Sequence, residues 1–491
     1  MSQLLAIDQG TSSTKSLIFD AHTKVVSKYT AELQSNFLNK DWVEQDPDAI
    51  YESVIKAVKE LDISKVSCIG ISNQRETFVL WDAAGNVVHN AVVWSCKRST
   101  SLCKSMVDQN DWIQKKTGLI IDPYFSGTKL LWIVENHPEI KERIQKGEIY
   151  FGTVDTWVLY KLTHGQSYFT DTTNASRTLL FNIHTLDWDQ EILDRWGLTG
   201  INLPEVKTSA AFYGETNFEG LSSKMIPITA MIGDSHAALF GEGCFSAGDT
   251  KMTLGTGCSI LSNIGKTPKV STNGLLTTIA YSTPLETVYA WEGAIVSCGS
   301  MVEWLKSSLG IIQSAQQTEQ MAFEAQESDL YLIPAFSGLG APFWQMERKA
   351  SLVGMTFGTT NNQIVRATLE SICYQIVAVL DVMKEDLGSS IDTVAMNGGL
   401  SKNKFIQQGL NNLISATIEM QNSQDISALG AAMLAGLQIK IYDLHCKSVW
   451  SANPKIKNEH LSIELGDRTK GVYIFTIEAE NKLFSKRFIL Q

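Results

Sequence analysis

Short apolar runs separated by small polar residues open the chain. The stretch LLAIDQGTSSTKSLIFD (4–20) is typical of two strands joined by a glycine-centred turn, so it predicts a β-hairpin that begins at residue 3 or 4. The alternating stretch VVSKYTAEL (25–33) predicts a third strand that continues the meander.

The pattern then changes to the spacing of a helix. Apolar residues recur every three or four positions over 46–61, with Asp46 as a cap and Pro47 in the first turn. The apolar run KVSCIGIS (65–72) predicts a buried strand directly afterwards. Because strands and helices keep alternating along the chain, the sequence predicts an α/β fold.

A second glycine hairpin is predicted over 249–264, in the stretch DTKMTLGTGCSILSNI. A third glycine turn follows a strand in TVAMNGGLSKNKFIQQGL (393–410) and leads into a helix. Two similar hairpins in one chain suggest two structurally related domains with a cleft between them. We place the boundary in the small-residue stretch 241–249, which gives domains of 1–244 and 245–491.

Length, charge and cysteine usage narrow the class of protein. A chain of 491 residues favours two or more domains. Its formal net charge is −11 without a long basic run, so we expect neither a nucleic acid nor an anionic membrane as partner. Eight scattered cysteines form no CxxC pair, which favours reduced thiols in the cytoplasm. Neither a signal peptide nor a membrane span is expected from the apolar runs.

The first glycine turn, DQGTSSTK (8–15), offers closely spaced backbone N–H groups and hydroxyls, the chemistry that cradles a phosphate. It lacks the Walker spacing, and a plain hairpin turn is an equally good interpretation of this stretch alone. Asp8 favours the phosphate interpretation, because a carboxylate beside such a loop suits Mg²⁺. With GTGCS (255–259) and NGGLSKN (397–403), the three stretches together predict a nucleotide cleft.

Asp234 follows an apolar strand and precedes a small-residue helix start, in MIGDSHAALFGEG (231–243). That is a suitable position for a general base, which must reach a substrate hydroxyl during phosphoryl transfer. Without context, the N-cap of the helix is the better interpretation. We interpret His236 as helix packing or surface, because none of the eight histidines belongs to a cluster of metal ligands.

The pair Arg75 and Glu76, in NQRET (73–77), suits a polyol. A hydroxyl both donates and accepts, and this pair supplies a rigid donor fork beside acceptor oxygens. Trp94 and Tyr124 are positioned to lie against the carbon backbone of a small substrate. Taken individually, each of these two aromatic residues is more simply a core residue.

Together these stretches resemble the FGGY carbohydrate kinases over nearly the whole chain. YFSGTKLLWIVEN (124–136) and ASLVGMTFGTTNNQIVRATLE (350–370) look like the two signatures of that family. NQRET, DPYFSGTK, FGTVDTW, TNASRTLLFNIHTLDWD and IPAFSGLGAPFW look more narrowly like its members that phosphorylate glycerol. The match fades beyond about residue 440, where only surface and a terminal helix are expected.

The resemblance implies two actin-like, hexokinase-like domains of the ribonuclease H-like class that close over Mg²⁺-ATP and a polyol. It implies ATP-dependent transfer to glycerol, giving sn-glycerol 3-phosphate, in a cytoplasmic homodimer or homotetramer. Asp234 matches the catalytic base, and Asp8 matches the magnesium-linked carboxylate. The positions matching the polyol site are Arg75, Glu76, Trp94, Tyr124, Asp234 and Ser235. The positions matching the nucleotide site are Thr11, Ser12, Ser13, Lys15, Thr256, Gly299, Glu303, Gly399 and Asn403.

Two departures from the family bear on the substrate. Ser235 and His236 stand where these kinases usually carry two glutamines, and Ser259 stands where phenylalanine is common. Both serines remove bulk, so a kinase for another small polyol or a ketose is the alternative within the family. A catalytically silent nucleotide sensor on the same fold is a second alternative, which the presence of Asp8 and Asp234 with the arginine–glutamate pair disfavours.

Overall fold

The computed structural model of the chain describes residues 3–39, 41–421, 425–443, 455–457 and 460–462. Its helices are α1 Pro47–Lys59, α2 Thr100–Ser105, α3 Asn110–Thr117, α4 Ser126–Asn136, α5 Pro138–Gln145, α6 Val154–Leu162, α7 Thr172–Ala175, α8 Gln190–Arg195, α9 Asp234–Gly241, α10 Gly299–Ser307, α11 Gln317–Glu324, α12 Asn361–Leu387, α13 Lys404–Leu413 and α14 Ile426–Asp443, with 3₁₀ turns at Val107–Gln109 and Gly399–Lys402.

The strands alternate with these helices along both halves of the chain. They are β1 Gln3–Gln9, β2 Ser13–Phe19, β3 Val25–Glu32, β4 Asn36–Phe37, β5 Val43–Gln45, β6 Val66–Asn73, β7 Phe78–Asp82, β8 Val87–Val92, β9 Ile149–Thr153, β10 Phe169–Asp171, β11 Phe181–Asn182, β12 Asp187–Trp188, β13 Glu205–Lys207, β14 Ala210–Thr216, β15 Ile226–Gly233, β16 Thr250–Leu254, β17 Cys258–Gly265, β18 Leu276–Thr283, β19 Glu286–Ile295, β20 Tyr331–Ile333, β21 Ser351–Val353, β22 Thr393–Asn397, β23 Thr417–Met420, β24 Lys455–Lys457 and β25 His460–Ser462.

The first six-stranded sheet has the order β14-β15-β6-β1-β2-β3. Strands β1, β2 and β3 form an antiparallel meander, while β1, β6 and β15 run parallel. This confirms the predicted hairpin, its third strand and the buried strand over 65–72. Ile7 and Ile71, on the central strands, are fully buried in the core of this sheet.

The second six-stranded sheet has the order β18-β19-β17-β16-β22-β23. Strands β16 and β17 form the predicted second hairpin, β19 continues it antiparallel, and β22 and β23 run parallel to β16. The five-strand order β19-β17-β16-β22-β23 therefore matches β3-β2-β1-β6-β15 in both order and direction. The two halves of the chain have related topologies, as the paired glycine hairpins predicted.

Helix α1 shows how local sequence determines an element here. Asp46 is its N-cap, and the side chain accepts a hydrogen bond from the N–H of Asp48. Pro47 takes the first helical position, where its missing N–H costs nothing. The helix buries Ile50 and Val54 against the first sheet, which confirms the prediction over 46–61.

The last long helix, α14, packs against the first sheet although it follows the second sheet in the sequence. A Cβ atom on Gly70 of β6 would lie 2.2 Å from the carbonyl oxygen of Ala431, and one on Gly430 would lie 1.9 Å from that of Ala237. Only glycine permits backbones to approach so closely. The domain boundary at 244/245 remains a prediction, and α14 crosses back over it.

Beyond α14 the described elements are two short strands rather than the expected helix. Strands β24 and β25 pair antiparallel, and the remainder of the predicted surface region lies outside the described residues. The seven cysteines in the described part of the chain are buried thiols rather than disulfides. Within the same residues, α12 is the one helix long and apolar enough to cross a membrane, and 56% of its most apolar window is buried inside the protein.

Candidate active site

The ends of three parallel strands bring several predicted residues to one edge of the first sheet. Gln9 at the end of β1 lies beside Asn73 at the end of β6, and Asn73 lies beside Gly233 at the end of β15. The residues that follow β6 and β15 therefore emerge next to each other and next to the first glycine turn. Such carboxyl edges are where ligands bind in open α/β sheets.

Arg75 lies in the loop after β6 and is only 5% exposed. Its Nε lies 3.2 Å from Oδ1 of Asp234 at the start of α9. Its Nη2 lies 2.9 Å from Oε1 of Glu292 on β19, and its Nη1 donates to Oε2 of the same carboxylate at 3.2 Å. Burial opposes its charge, but the surrounding acids, Glu292 foremost, raise the pKa of Arg75 well above its ordinary value.

Glu76 has a backbone φ of 62°, in the left-handed region that residues other than glycine seldom adopt. The turn around it is closed by the N–H of Thr77, which donates to the carbonyl oxygen of Arg75 at 2.7 Å. Its Oε1 accepts from Nε of Arg177 at 2.6 Å. Burial raises the pKa of Glu76, and the guanidinium groups of Arg75 and Arg177 offset this in part. Backbone strain of this kind concentrates at functional sites.

Arg177 and Glu292 complete a buried group of alternating charges, and both are 0% exposed. Nη1 of Arg177 lies 2.6 Å from Oε2 of Glu292. The guanidinium of Arg177 also lies over the ring of Phe125, 5.1 Å from its centroid. Burial alone would raise the pKa of Glu292, but Arg177 and Arg75 hold it far below its ordinary value. Glu292 is therefore a carboxylate shared by two arginines.

Trp94 and Tyr124 meet edge to face, with their ring centroids 5.7 Å apart and their planes at 88°. Nε1 of Trp94 donates to Oγ1 of Thr11 at 2.9 Å, which joins this pair to the first glycine turn. Nη2 of Arg75 donates to the hydroxyl of Tyr124 at 3.4 Å. Both rings are half-buried, so each is part of the packing and also faces the edge where Arg75 lies.

The side chain of Lys129 contacts the backbone of both aromatic residues. Its buried Nζ donates to the carbonyl oxygens of Trp94 at 3.3 Å and of Tyr124 at 2.9 Å. Burial lowers the pKa of Lys129 to about 8. Sequence reasoning did not select this lysine, although it lies inside the stretch 124–136.

Asp234 is the first residue of α9, and Gly233 takes the N-cap position, so the interpretation of Asp234 as the cap is wrong. Its Oδ1 accepts from the N–H of Ser235 at 2.6 Å, and its side chain is 38% exposed. His236 is buried, with Nε2 3.3 Å from Oγ1 of Thr278. Burial lowers the pKa of His236 well below its ordinary value. Packing rather than surface is therefore the correct interpretation of this histidine.

The first glycine turn joins Asp8 and Lys15, which face each other across β1 and β2. Oδ1 of Asp8 accepts from Oγ of Ser72 at 2.6 Å. Burial raises the pKa of Asp8 to about 6, although that hydrogen bond and Lys15 act in the opposite direction. The turn is closed by the N–H of Gly10, which donates to the carbonyl oxygen of Ser13 at 2.9 Å.

Within that turn, Ser12 is exposed and Thr11 is half-buried. Nζ of Lys15 lies 3.4 Å from Oδ1 of Asp425. Ser12 therefore faces solvent at the edge of the sheet, the hydroxyl of Thr11 is held by Trp94, and Lys15 is placed by a carboxylate from the far end of the chain.

The second glycine turn packs against the start of α10. The N–H of Gly255 donates to the carbonyl oxygen of Gly257 at 2.9 Å, and the N–H of Gly299 donates to that of Gly255 at 2.9 Å. A Cβ on Gly299 would lie 2.5 Å from the carbonyl oxygen of Gly255. Thr256 is exposed at the tip of the turn, and its carbonyl oxygen accepts from the N–H of Ser300 at 3.0 Å. Glycine at 299 is thus required by close approach.

The three remaining predicted nucleotide residues lie on the second half. Glu303 is on α10 and bonds to Ser307 one turn further along. Gly399 begins the 3₁₀ turn after β22, with no side chain or backbone within 4 Å of a Cβ placed there. Asn403 is the N-cap of α13, and its Oδ1 accepts from two N–H groups of that helix. Among the described contacts, none joins these three residues to the group around Arg75.

Sequence reasoning missed Arg177 and Glu292. Arg177 lies inside the stretch TNASRTLLFN, and Glu292 stands in the apolar strand YAWEGAI. A charged residue in an otherwise apolar strand indicates that an oppositely charged residue is buried next to it, because buried charges are paired. Which partner it has depends on the contact between the two halves, and that is not visible in either stretch.

Comparison with known proteins places the chain in a family. The N-terminal domain of the FGGY family of carbohydrate kinases matches residues 3–241, and the C-terminal domain of that family matches residues 250–439. The chain belongs to the FGGY family of carbohydrate kinases and is a kinase. The two-domain α/β fold expected from its sequence is confirmed.

The chain is similar to proteins named glycerol kinase from several organisms. The one from Shewanella halifaxensis is 43% identical over 450 residues, which is 90% of this chain and 91% of the relative. The one from Halothermothrix orenii is 41% identical over 449 residues, covering 89% and 90%. Among solved structures, Plasmodium falciparum glycerol kinase with ADP has a TM-score of 0.81 and 36% identity over 90% of both chains. A xylulose kinase from Lactobacillus acidophilus, with a TM-score of 0.80, 21% identity and coverage of 90% of both chains, shares the fold.

A third match concerns the end of the chain. Residues 416–491 match a secretion system C-terminal sorting domain, which overlaps the kinase match. In the overlap, β23 pairs in parallel with β22 in the second sheet, and α14 packs on the first sheet. These described residues are built into the kinase fold.

Proposed function

We propose that the protein transfers the γ-phosphoryl group of ATP to glycerol and forms sn-glycerol 3-phosphate. One observation carries this proposal. Arg75, which is next to Glu76 in the chain, contacts Asp234, and this group lies beside the rings of Trp94 and Tyr124. Relatives named glycerol kinase at 43% and 41% identity support the choice of glycerol.

The polyol would be held by donors and acceptors at the same edge. Four of the five N–H groups of Arg75 contact Glu292, Asp234 and the hydroxyl of Tyr124, which leaves one N–H group, on Nη1, for a substrate hydroxyl. Glu76 supplies acceptor oxygens, and the carbon backbone would lie against Trp94 and Tyr124. A small triol presents the mixture of donors, acceptors and CH groups that this lining fits.

Asp234 would be the general base. Its carboxylate is partly exposed at the edge and oriented by contacts with Nε of Arg75 and the N–H of Ser235. As the glycerol oxygen forms its bond to the γ-phosphorus, Asp234 takes the hydroxyl proton. The bond from the γ-phosphorus to the bridging oxygen breaks, and ADP leaves. Positioning and charge stabilisation would supply most of the rate acceleration.

The nucleotide would lie between the two glycine turns. Thr11, Ser12 and Ser13 with Lys15 offer hydroxyls, N–H groups and a cation on one side. On the other side, Thr256 would offer a hydroxyl and a backbone N–H group, and α10 begins beside it at Gly299. Glu303, Gly399 and Asn403 are assigned to the adenosine end by their match to the family.

Asp8 fits a site for Mg²⁺ carried by ATP. One carboxylate oxygen accepts from Ser72, and among the described residues no hydrogen bond is made by the other. Mg²⁺ in such sites typically takes one or two carboxylates together with phosphate oxygens and water. When bound, Mg²⁺ neutralises charge on the β- and γ-phosphates. Asp8, ionised, would hold it beside the first turn.

We further propose a cytoplasmic homodimer or homotetramer without a nucleic acid partner. The net charge and the free thiols of the described cysteines support a cytoplasmic location. The sorting-domain match at 416–491 favours an exported protein instead. Fractionation of the native host with an antibody against this chain decides between the two. Light scattering of the purified protein gives the number of subunits.

A kinase for another small polyol or a ketose is the second candidate. It is favoured by Ser259, whose hydroxyl donates to Oε1 of Glu292 at 3.1 Å and so adds a polar group next to the arginine cluster. Ser235, at the start of α9, is half-buried beside Asp234 and adds a second small polar group.

The experiment that tests these candidates is ADP release with Mg²⁺-ATP across glycerol, dihydroxyacetone, erythritol and xylulose. Asp234→Asn serves as the matched control, since it keeps the shape and removes the base. Dominant glycerol turnover that this variant abolishes supports the proposal. A longer substrate that wins by tenfold or more supports the second candidate, and ATP turnover without any polyol supports a nucleotide sensor.

A further inference from the structure

A closed set of buried contacts links the polyol residues to the second half of the chain. Glu292 on β19 contacts Arg75 at 2.9 Å and Arg177 at 2.6 Å, and Arg177 contacts Glu76 at 2.6 Å. All four side chains are at most 5% exposed. Each of the two polyol residues is therefore reached from Glu292, directly for Arg75 and through Arg177 for Glu76.

The same carboxylate contacts β17, the strand that leaves the second glycine turn, and no described hydrogen bond joins it to residues 255–257 of the turn itself. Ser259 and Glu292 are diagonal neighbours on paired strands, because Ser259 lies opposite Ala294 and Glu292 lies opposite Leu261. Oγ of Ser259 donates to Oε1 of Glu292 at 3.1 Å. Ser259 follows the turn 255–257 by two residues. One side chain thus contacts the strand that leaves the second turn and also the arginine that faces the polyol edge.

Because these four side chains are buried, the loss of one charge among them leaves the opposite charge uncompensated. Removing one partner of a buried ion pair is strongly destabilising because it leaves an uncompensated charge, so attraction to the nearest remaining acid becomes the dominant force on the guanidinium. For Arg75 that acid is Asp234, whose Oδ1 already lies 3.2 Å from Nε. Without Glu292, Arg75 would be drawn onto the base, and Glu76 would lose the fixed position of Arg177.

We propose that Glu292 is a positioning residue for the polyol site, which acts through Arg75 and Arg177 and joins that site to the second half of the chain. This inference rests on the proposed function. Glu292 holds Nη1 and Nη2 of Arg75 while Nε stays 3.2 Å from Asp234, and it fixes Glu76 through Arg177. Polyol binding then requires the two halves to be in contact, whereas nucleotide contacts at the glycine turns do not depend on the carboxylate.

The experiment compares Glu292→Gln with a matched control, Glu44→Gln. Glu44 is 6% exposed and pairs with Nη2 of Arg98 at 2.6 Å, and among the described contacts its carboxylate meets only Arg98, Asn90 and His89, none of which is a predicted site residue. Both variants remove one buried negative charge and keep the side-chain shape. KM and kcat are measured for glycerol and for ATP, with glycerol Kd from calorimetry.

For Glu292→Gln we expect glycerol KM and Kd to rise at least tenfold, while the KM for ATP stays within twofold. Glu44→Gln should leave both within twofold. In a double-mutant cycle with Arg75→Lys, the effects on glycerol kcat/KM should be far from additive, because the two residues act as a unit. Loss of stability alone would not separate the two substrates in this way.

Two milder variants keep the test decisive if Glu292→Gln does not fold. Ser259→Ala removes one hydrogen bond to the carboxylate without changing a charge, and should raise glycerol KM about threefold, because the two arginines still hold Glu292 in place. Glu292→Asp keeps the charge and shortens its reach, and should raise glycerol KM more than ATP KM. Equal effects on both substrates in these variants would overturn the inference.

The outcomes separate the inference from the proposed function. A wild-type protein that phosphorylates glycerol, with Glu292→Gln behaving like Glu44→Gln, leaves the function standing and removes the positioning role. If the wild-type protein turns over another polyol, the KM for that polyol is measured in place of the KM for glycerol. A rise of at least tenfold in Glu292→Gln then supports the inference, and equal effects on polyol and ATP overturn it. A wild-type protein that turns over no polyol removes both.

Discussion

Arg75 in the first half of the chain and Glu292 in the second half are joined by two contacts, Nη2 to Oε1 at 2.9 Å and Nη1 to Oε2 at 3.2 Å. Two parallel contacts between a guanidinium and a carboxylate fix the orientation of both groups. The loop after β6 is thus tied to β19 at the position where the polyol is proposed to bind. This relationship makes the proposed site a product of both halves.

The first prediction concerns Asp8 and pH. Its raised pKa, about 6, means that half of the molecules carry a proton on this carboxyl at that pH. Since a protonated carboxyl does not hold Mg²⁺, kcat/KM for Mg²⁺-ATP should fall as pH drops below about 6. A pH profile of the free enzyme's kcat/KM between 5 and 8 measures this.

Asp8→Asn is the control for that profile. It should lower kcat/KM for Mg²⁺-ATP by about two orders of magnitude, the usual size for loss of a catalytic contact. Its acid limb near pH 6 should also disappear. The same limb in the variant would assign the titration to another group.

The second prediction concerns Lys129. Lys129→Met keeps the length of the side chain but leaves the carbonyl oxygens of Trp94 and Tyr124 unpaired. We expect glycerol kcat/KM to fall about tenfold, because each buried polar group left without a partner costs on the order of 1–3 kcal/mol. The KM for ATP should not change, and steady-state kinetics with each substrate varied in turn measures both.

Lys129 also makes a prediction for stability. Its pKa in the folded protein, about 8, lies below the ordinary value of 10.5, so between these pH values the unfolded chain binds more protons. The free energy of unfolding of the wild type should therefore rise relative to that of Lys129→Met as pH goes from 8 to 10.5. Urea unfolding of both proteins at three pH values measures the difference, and a constant difference would contradict the assigned pKa.

The third prediction concerns substrate choice. Ser259→Phe removes the hydrogen bond to Glu292 and fills space at the polar end of the site. We expect the ratio of kcat/KM for glycerol over erythritol to rise about tenfold, since steric and contact changes in such pockets are worth about 1–3 kcal/mol. Ser259→Ala, which removes the bond without adding bulk, is the control. An unchanged ratio in Ser259→Phe would show that this position does not select the substrate.

The fourth prediction concerns the packing of α14. A Cβ at Gly430 would lie 1.9 Å from the carbonyl oxygen of Ala237, so Gly430→Ala should reduce the free energy of unfolding by about 1–3 kcal/mol. Gly436→Ala on the same helix meets only Cδ1 of Leu4 at 3.4 Å and should stabilise by up to about 1 kcal/mol through helix propensity. Chemical denaturation of the pair measures this. Equal effects would contradict the close approach.

The fifth prediction concerns the end of the chain. The described kinase elements end with α14 at Asp443, and the FGGY C-terminal match ends at residue 439. A variant that stops after Asp443 should keep glycerol kcat/KM within about twofold, because less than 0.5 kcal/mol is expected for a change that leaves the site untouched. A large loss of turnover would place part of the active machinery in residues 444–491.

Much of the fold was predictable because its signals are local. The glycine turns at 10 and 255, the cap at Asp46 and the apolar run of β6 each depend on a few neighbouring residues. The candidate residues Arg75, Asp234 and Asp8 followed strand ends that a single stretch reveals. Their types and order were sufficient to indicate the family.

The sequence by itself determined the helices and strands and the chemical groups at their ends. These depend on the periodicity of hydrophobic residues and on the residues of each turn, which act over short distances. The tertiary structure decided which groups meet. Glu292 could be paired with Arg75 and Arg177 only once β19 lay beside the loop after β6. Likewise, the place of α14 on the first sheet depends on close backbone contacts at Gly70 and Gly430. Buried charges and close backbone contacts join residues far apart in the chain, and only folding brings such residues into contact.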